Sequence, residues 1–298
     1  MSIAVIPTPG PFVAIGGAED KTSARAVLRH VLRLTGTPTP NVTVIATASQ
    51  IPEVVLPMYR ESFAAIGVAE VHLLDVRNRQ HANDPATAAQ VSASDLVFLT
   101  GGDQLRLTHI LGGTALLAAM RRRHAEGAVI AGTSAGAAAM SRTMIYDGDA
   151  AASLHKGNVK MTSGLGFVPG VVIDSHFVQR GRFTRLLEVG AANPERLGIG
   201  LGEDTAVVVH PGRILETIGS GHVIVVDSWS IEHANVAEIA QGEPIAVSPV
   251  TVHALTAGQG FDMNARRVLQ VEAFQPSLTA LPAPTAWPAD AFRPAPSI

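Results

Sequence analysis

Four short apolar runs, separated by amphipathic stretches, restrict the fold class of this chain more than any single residue does. The runs are NVTVIATA (residues 41–48), VHLLDV (71–76), DLVFLTGG (95–102) and AVIAGTS (128–134). They are rich in β-branched residues and give way to Gly, Ser or Asp, which reads as strands. Their near-continuous apolar character suits strands covered on both faces. Between them lie KTSARAVLRHVLRL (21–34), EVVLPMYRESFAAIG (53–67), PATAAQV (85–91) and TALLAAMRRRHAEG (114–127). In the first, Ala26, Val27, Val31, Leu32 and Leu34 recur at the helical period, with basic residues opposite. Strand and helix in alternation predict right-handed crossovers and a mostly parallel sheet between helical layers.

Beyond about residue 200 the pattern changes. TAVVVHPG (205–212), RILETIGSG (213–221), HVIVVDS (222–228), PVTVHALTAG (249–258) and RRVLQVEA (266–273) are short runs separated by Gly, Pro or Ser. They predict antiparallel hairpins added to the same core. The last stretch carries six prolines together with Trp287 and Phe292 and reads as an extended tail. The expected organisation is one α/β domain over residues 1–275 and a Pro/Ala-rich tail over 276–298.

Composition narrows the chemistry. The chain has no cysteine, which excludes a disulfide framework, a thiolate metal site and a cysteine nucleophile. A formal net charge of −3 gives no footprint for nucleic acid or an anionic membrane. No window approaches 18 uninterrupted apolar residues, so no transmembrane helix is expected. The N-terminus has no basic region before its apolar residues and is interrupted by prolines, unlike a signal peptide. The default compartment is the cytoplasm.

The strand at 128–134 runs into GTSAG, Gly132 to Gly136, followed by AGAAAMSR as a helix start. Ligands bind at the carboxyl ends of parallel strands. Gly-x-Ser-x-Gly in that position is a nucleophile-elbow pattern, and the helix N-terminus behind it offers N–H groups to a developing oxyanion. Taken alone, the pattern also fits a tight structural turn or a phosphate-binding one. Three further strand ends carry matching chemistry. Gly101, Gly102, Asp103 and Gln104 follow one strand; Asp174, Ser175 and His176 end another, at 171–174; Glu203 and Asp204 sit in the turn of GIGLGEDTAVVV. An imidazole supplies general-base help to a serine, and a carboxylate orients the imidazole. Ser134, His176 and Glu203 come in the order Ser, His, acid, unlike the Ser, acid, His order of α/β-hydrolases. His155 is a second candidate base in a polar loop, and Asp204 a second candidate acid. Asp103 reads as the N-cap of DQLRLTHIL. GGAEDK (16–21) reads as a structural turn, because its glycine pair lacks the rest of a dinucleotide fingerprint.

Together GTSAGA, GGDQ, GIGLGEDTA and the pattern of Asp174, His176, Phe177, Arg180, Arg182, Arg185 and Leu186 resemble the cyanophycinase family of serine peptidases, which includes the α-aspartyl dipeptidases of the peptidase E type. VTVHALTAGQGFDMNARRV resembles the C-terminal region of the same family, and the resemblance spans roughly residues 13–268. It implies an α/β three-layer fold similar to the class I glutamine amidotransferases. It implies a catalytic triad of Ser134, His176 and Glu203, with oxyanion donors from Ala135 and Gly102. Gln104, Asp174 and Ser175 are then expected to hold substrate. Arg180, Arg182 and Arg185 are expected to start a helix, where their offsets do not share one face, so at most one or two reach the site and the others are solvated or paired with acids. The implied substrate is cyanophycin or a related β-aspartyl peptide. The polymer has a poly-aspartate backbone with arginine on each side-chain carboxylate, and its product is the β-Asp-Arg dipeptide. No metal or organic cofactor is expected, and the expected assembly is a homodimer. Two positions depart from the family pattern: Ser175 replaces a common glutamine and Gly202 a common acid. The first predicts a looser side-chain preference. The other readings are an α-aspartyl dipeptidase and a non-catalytic binding protein on the same fold; a nucleotide-binding protein lacks the phosphate motifs.

Overall fold

The computed structural model describes residues 8–152 and 154–270. The expected tail, with Trp287 and Phe292, lies outside them. The described chain is built on two sheets. The larger has nine strands. Its parallel part consists of β1 (Phe12–Ile15), β2 (Val42–Ile45), β3 (Val71–Leu74), β4 (Leu96–Leu99) and β5 (Val129–Thr133), in the spatial order β1-β5-β4-β2-β3. Every residue of β1, β2, β4 and β5 is buried, as their unbroken apolar character requires. Helices α1 (Ala26–Arg33), α2 (Pro52–Ala64), α3 (Arg79–Asn83), α4 (Pro85–Ala89), α5 (Gln104–Leu111) and α6 (Ala115–Ala125) connect these strands. Two hydrophobic clusters occupy the sheet's two faces. One gathers Val27, Leu28 and Val31 of α1 with Phe63 and Phe98; the other gathers Leu107 and Leu116 with Leu99 and Ile130.

The rest of the chain adds antiparallel structure. Past the short α7 (Ala135–Ala138), β6 (Thr143–Asp147) and β7 (Lys160–Ser163) form a hairpin. β8 (Val171–Asp174), α8 (Phe183–Ala192) and β9 (Leu197–Leu201) follow. β10 (Thr205–His210) and β11 (Ile214–Gly219) join the larger sheet beside β1, and β12 (Val223–Asp227) crosses to the second sheet. After the small ribbon of β13 (His233–Ala234) and β14 (Val247–Ser248), β15 (Thr251–Leu255) completes the second sheet, in the order β15-β12-β9-β8. β16 (Gly260–Asp262) and β17 (Arg267–Leu269) then extend the edge of the first. The larger sheet is therefore mixed, and the late strands divide between two sheets.

Several local boundaries differ from the periodicity. The helix expected from residue 21 begins at Ala26. Asp20 gathers the backbone N–H groups of Thr22, Ser23 and Arg25 on its carboxylate and holds the preceding turn. These donors stabilise the anion and hold its pKa at about 2. The helix after GTSAG lasts four residues. It stops where the carbonyls of Ala139 and Met140 accept from Leu165 and Val168 instead. The helix after DSHF starts at Phe183, so Arg180 and Arg182 precede it and only Arg185 lies within it. Gly181 (φ 59°) turns the chain between the two. Among the described residues, no helix is long and apolar enough to cross a membrane.

Candidate active site

Three adjacent strands of the parallel sheet end together. Gly16 and Gly17 follow β1, Ser134 follows the central β5, and Gly101 and Gly102 follow β4. Ser134 sits at φ 51° and ψ −109°, a conformation that L-residues rarely adopt. The sharp reversal brings α7 onto the strands, and the two glycines of the elbow permit it. A Cβ on Gly132 would lie 2.6 Å from the carbonyl carbon of Gly136, and one on Gly136 would lie 2.5 Å from the oxygen of Leu99. The Ser134 N–H donates to the Ile15 carbonyl at 2.9 Å. The N–H groups of Ala135 and Gly102 have no protein acceptor among the described residues.

His176 and Glu203 come from the other sheet. His176 lies just past β8, and Glu203 in the turn from β9 to β10. Main-chain bonds lock these strand ends onto the β1 turn: His176 N–H to Gly16 O at 2.8 Å, Asp204 N–H to Gly17 O at 2.9 Å and Gly16 N–H to Thr205 O at 2.8 Å. His176 Nε2 then lies 2.9 Å from Ser134 Oγ, and its Nδ1 lies 2.7 Å from Glu203 Oε1. The imidazole is mostly buried while the Glu203 side chain is partly open to solvent. Asp204 faces elsewhere. Its carboxylate accepts from Asp20 N–H and the Ser220 hydroxyl, fastening the β1 turn. His155 pairs with Pro244 in a remote loop and is exposed.

The residues expected to hold substrate separate into two groups. Asp174, Ser175 and Arg185 are buried, at 3%, 6% and 5% exposure. Arg182 Nη1 donates to Asp174 Oδ1 at 3.0 Å and to the Ser175 carbonyl at 2.9 Å. Arg185 Nε lies 3.1 Å from Asp174 Oδ2, an ion pair without hydrogen-bond alignment. Burial pushes the Asp174 pKa up, and the two guanidiniums oppose that shift. These groups are built into the protein as an ion-pair network rather than facing solvent. Arg180 is exposed, and Gln104 is half-buried with its amide donating to the carbonyls of Ile145 and Tyr146. As expected of an N-cap, the Asp103 carboxylate accepts from Arg106 N–H at the start of α5.

One part of the site was not anticipated. Glu19, in the turn read only as structural, is 3% exposed and lies beside the end of β5. The Tyr59 hydroxyl donates to its Oε1 at 2.5 Å, the Thr133 hydroxyl to its Oε2 at 2.6 Å, and Lys21 Nζ lies 3.0 Å away. Burial, with this carboxylate alongside, pushes the Tyr59 phenol well above its usual range. A cavity of about 180 Å³ opens between Lys21, Tyr59, Met58, Gly17 and Ser134. The one signal in the sequence was an acidic residue two positions past a strand-end glycine pair.

The sequence pattern of peptidase family S51 matches residues 12–217. The chain belongs to peptidase family S51. It is a serine-type peptidase. A cyanophycinase of Trichormus variabilis is 38% identical over 263 residues, 88% of each chain. A cyanophycinase of Geminocystis herdmanii is 36% identical over 84% of this chain and 92% of its own. One from Synechococcus elongatus is 35% identical over 87% and 81%. Among solved structures, a peptidase from an acI-B1 actinobacterium superposes with a TM-score of 0.65, at 22% identity over 86% of this chain and 98% of its own. A putative peptidase E from Listeria monocytogenes gives 0.50, at 18% identity over 72% and 100%. Both likenesses bear on the fold alone. They agree with the α/β architecture expected from the sequence.

Proposed function

We propose that this enzyme hydrolyses cyanophycin to β-Asp-Arg dipeptides, with Ser134 as nucleophile, His176 as general base and Glu203 as its orienting acid. The observation that carries the proposal is the continuous chain Ser134 Oγ, His176 and Glu203, at 2.9 and 2.7 Å. Both spacings are those of hydrogen bonds ready for proton transfer. Ser134 Oγ adds to the backbone carbonyl carbon while its proton passes to His176 Nε2. Glu203 stabilises the imidazolium through Nδ1. The oxyanion accepts from the N–H groups of Ala135 and Gly102. Collapse breaks the C–N bond, and His176 returns the proton to the leaving amine. Water then hydrolyses the acyl-serine with His176 again as base. Arg180 and the free oxygen of Gln104 contact substrate, whereas Asp174, Arg182 and Arg185 hold the loop that carries His176.

The substrate assignment rests on the likeness to the cyanophycinases of three species over more than four-fifths of the chain. Incubation with cyanophycin and with a panel of α- and β-aspartyl dipeptides, followed by mass analysis, tests it. Release of β-Asp-Arg from the polymer is the expected result. Cleavage of α-aspartyl dipeptides with none of the polymer would assign a peptidase E-type activity instead. The homodimer expected from the resemblance is checked by sedimentation velocity.

A further inference from the structure

A second cavity is roomier than the one that Ser134 lines. About 450 Å³ of open space lies where the chain leaves β3 and β4, lined by Arg77, Arg79, Asp103, Leu105, Arg106 and His109 among others. That is the size of a small-molecule site. Its guanidiniums are not equivalent. Arg77 is neutralised by Asp75 and Glu53. Arg79 and Arg106 are not: Arg79 Nη1 donates to the carbonyls of His109 and Gly112, and Arg106 Nε donates to the carbonyl of Thr47. Neither has a carboxylate within 4 Å among the described residues. Carbonyl bonds fix where each guanidinium points without cancelling its charge. Each keeps unused N–H donors for an anion, and a planar guanidinium suits a carboxylate.

The cavity's position relates it to the chemistry. Asp103, on its wall, is two residues from Gly101, whose Cβ position lies 3.3 Å from Ser134 Cβ. Two residues of chain span at most about 7 Å. A polymer held across Ser134 therefore passes this mouth within a few repeats of the scissile bond.

Resting on the cyanophycin reading, we propose that this cavity is an accessory subsite that holds the α-carboxylate of an arginyl side arm away from the cleaved bond. Arginine joined by amide to an aspartyl side chain is attached through its α-amino group, so each side arm keeps a free carboxylate and a guanidinium. Arg79 and Arg106 take the carboxylate. Asp103, whose partner in the lining is only the Arg106 N–H, gives the arm's guanidinium an acid to face.

The test uses the full-length chain with Arg79→Gln/Arg106→Gln, and Arg79→Lys/Arg106→Lys as the charge-retaining control. Substrates are soluble cyanophycin and a minimal unit of two arginyl-aspartate residues, whose only two side arms flank the cleaved bond. We expect KM for the polymer to rise about tenfold in the Gln variant with kcat unchanged, both constants for the minimal unit to be unaffected, and the Lys variant to recover most of the loss. The wild-type KM for the polymer should also rise with salt more steeply than that of the Gln variant. Equal losses on polymer and minimal unit, or no change on either, overturn the subsite. The same comparison is made by co-sedimentation of Ser134→Ala proteins with cyanophycin granules. It reads binding without hydrolysis, so an inactive wild type would count against the proposed function alone. Equal sedimentation with and without the two arginines would count against the subsite alone.

Discussion

Gly17→Ala isolates the geometry of His176, the proposed general base. Gly17 has φ 98°, and a Cβ built on it would sit 2.5 Å from His176 Nε2. Non-bonded heavy atoms rest at about 3.5 Å, so the imidazole must retreat by about 1 Å. Its contact with Ser134 Oγ, now 2.9 Å, then stretches towards 4 Å, beyond a hydrogen bond. A displacement of that size costs on the order of 10²-fold in rate. The positive φ adds a backbone penalty of about 1–2 kcal/mol for any L-side chain. Gly36→Ala separates the two effects, because Gly36 has φ 68° with nothing within 4 Å of its Cβ position. Both variants should melt a few degrees below wild type. Only Gly17→Ala should lose about two orders of magnitude in kcat for release of β-Asp-Arg. If Gly17→Ala keeps more than half the wild-type rate while melting like Gly36→Ala, the imidazole is not where the reaction needs it and the reasoning fails.

Two further outcomes concern stability. His124 is buried, stacked on Phe12 with ring centroids 3.9 Å apart, and burial pulls its pKa from 6.5 down to about 4. Its folded pKa lies below the unfolded one, so the stability it contributes is complete above pH 6.5. That contribution is lost as pH falls from 6.5 towards 4, up to about 3 kcal/mol. Melting followed against pH should show this limb, and His124→Phe should flatten it; an unchanged slope would refute the assignment. Asp174→Ala leaves the buried Arg185 without its acid and should destabilise the protein by about 3–5 kcal/mol in urea unfolding, a value near zero arguing against the network.

Much of this arrangement was legible in the residues. β8 lies where VVID places it, and the expected cores of β2 to β5 are all strands, because their apolar runs are long and end at turn-forming residues. The elbow was legible because two glycines flank a serine at a strand end, and the fold brings His176 and Glu203 to it. Asp20 and Gly181 shift helix starts through carboxylate-to-backbone bonds and a left-handed turn that apolar periodicity does not encode. The division of the late strands between two sheets depends on long-range pairing: β12 lies between β9 and β15, while β11 pairs with β10 and β16. Glu19 joins Tyr59 and Thr133 across 40 and 114 residues, and no local pattern announces such a contact. The family resemblance gave Asp174 a place at the substrate, and its two arginine partners come into reach only when the turn at Gly181 is in place.

The most direct measurement of the central claim is the rate of β-Asp-Arg release from cyanophycin by Ser134→Ala, taken together with its melting temperature. The substitution removes one oxygen from the elbow and leaves the β5 and α7 backbone bonds in place. The account predicts a loss of at least about 10³-fold at an unchanged melting temperature. A Ser134→Ala protein that melts like wild type and hydrolyses the polymer within tenfold of its rate would contradict it.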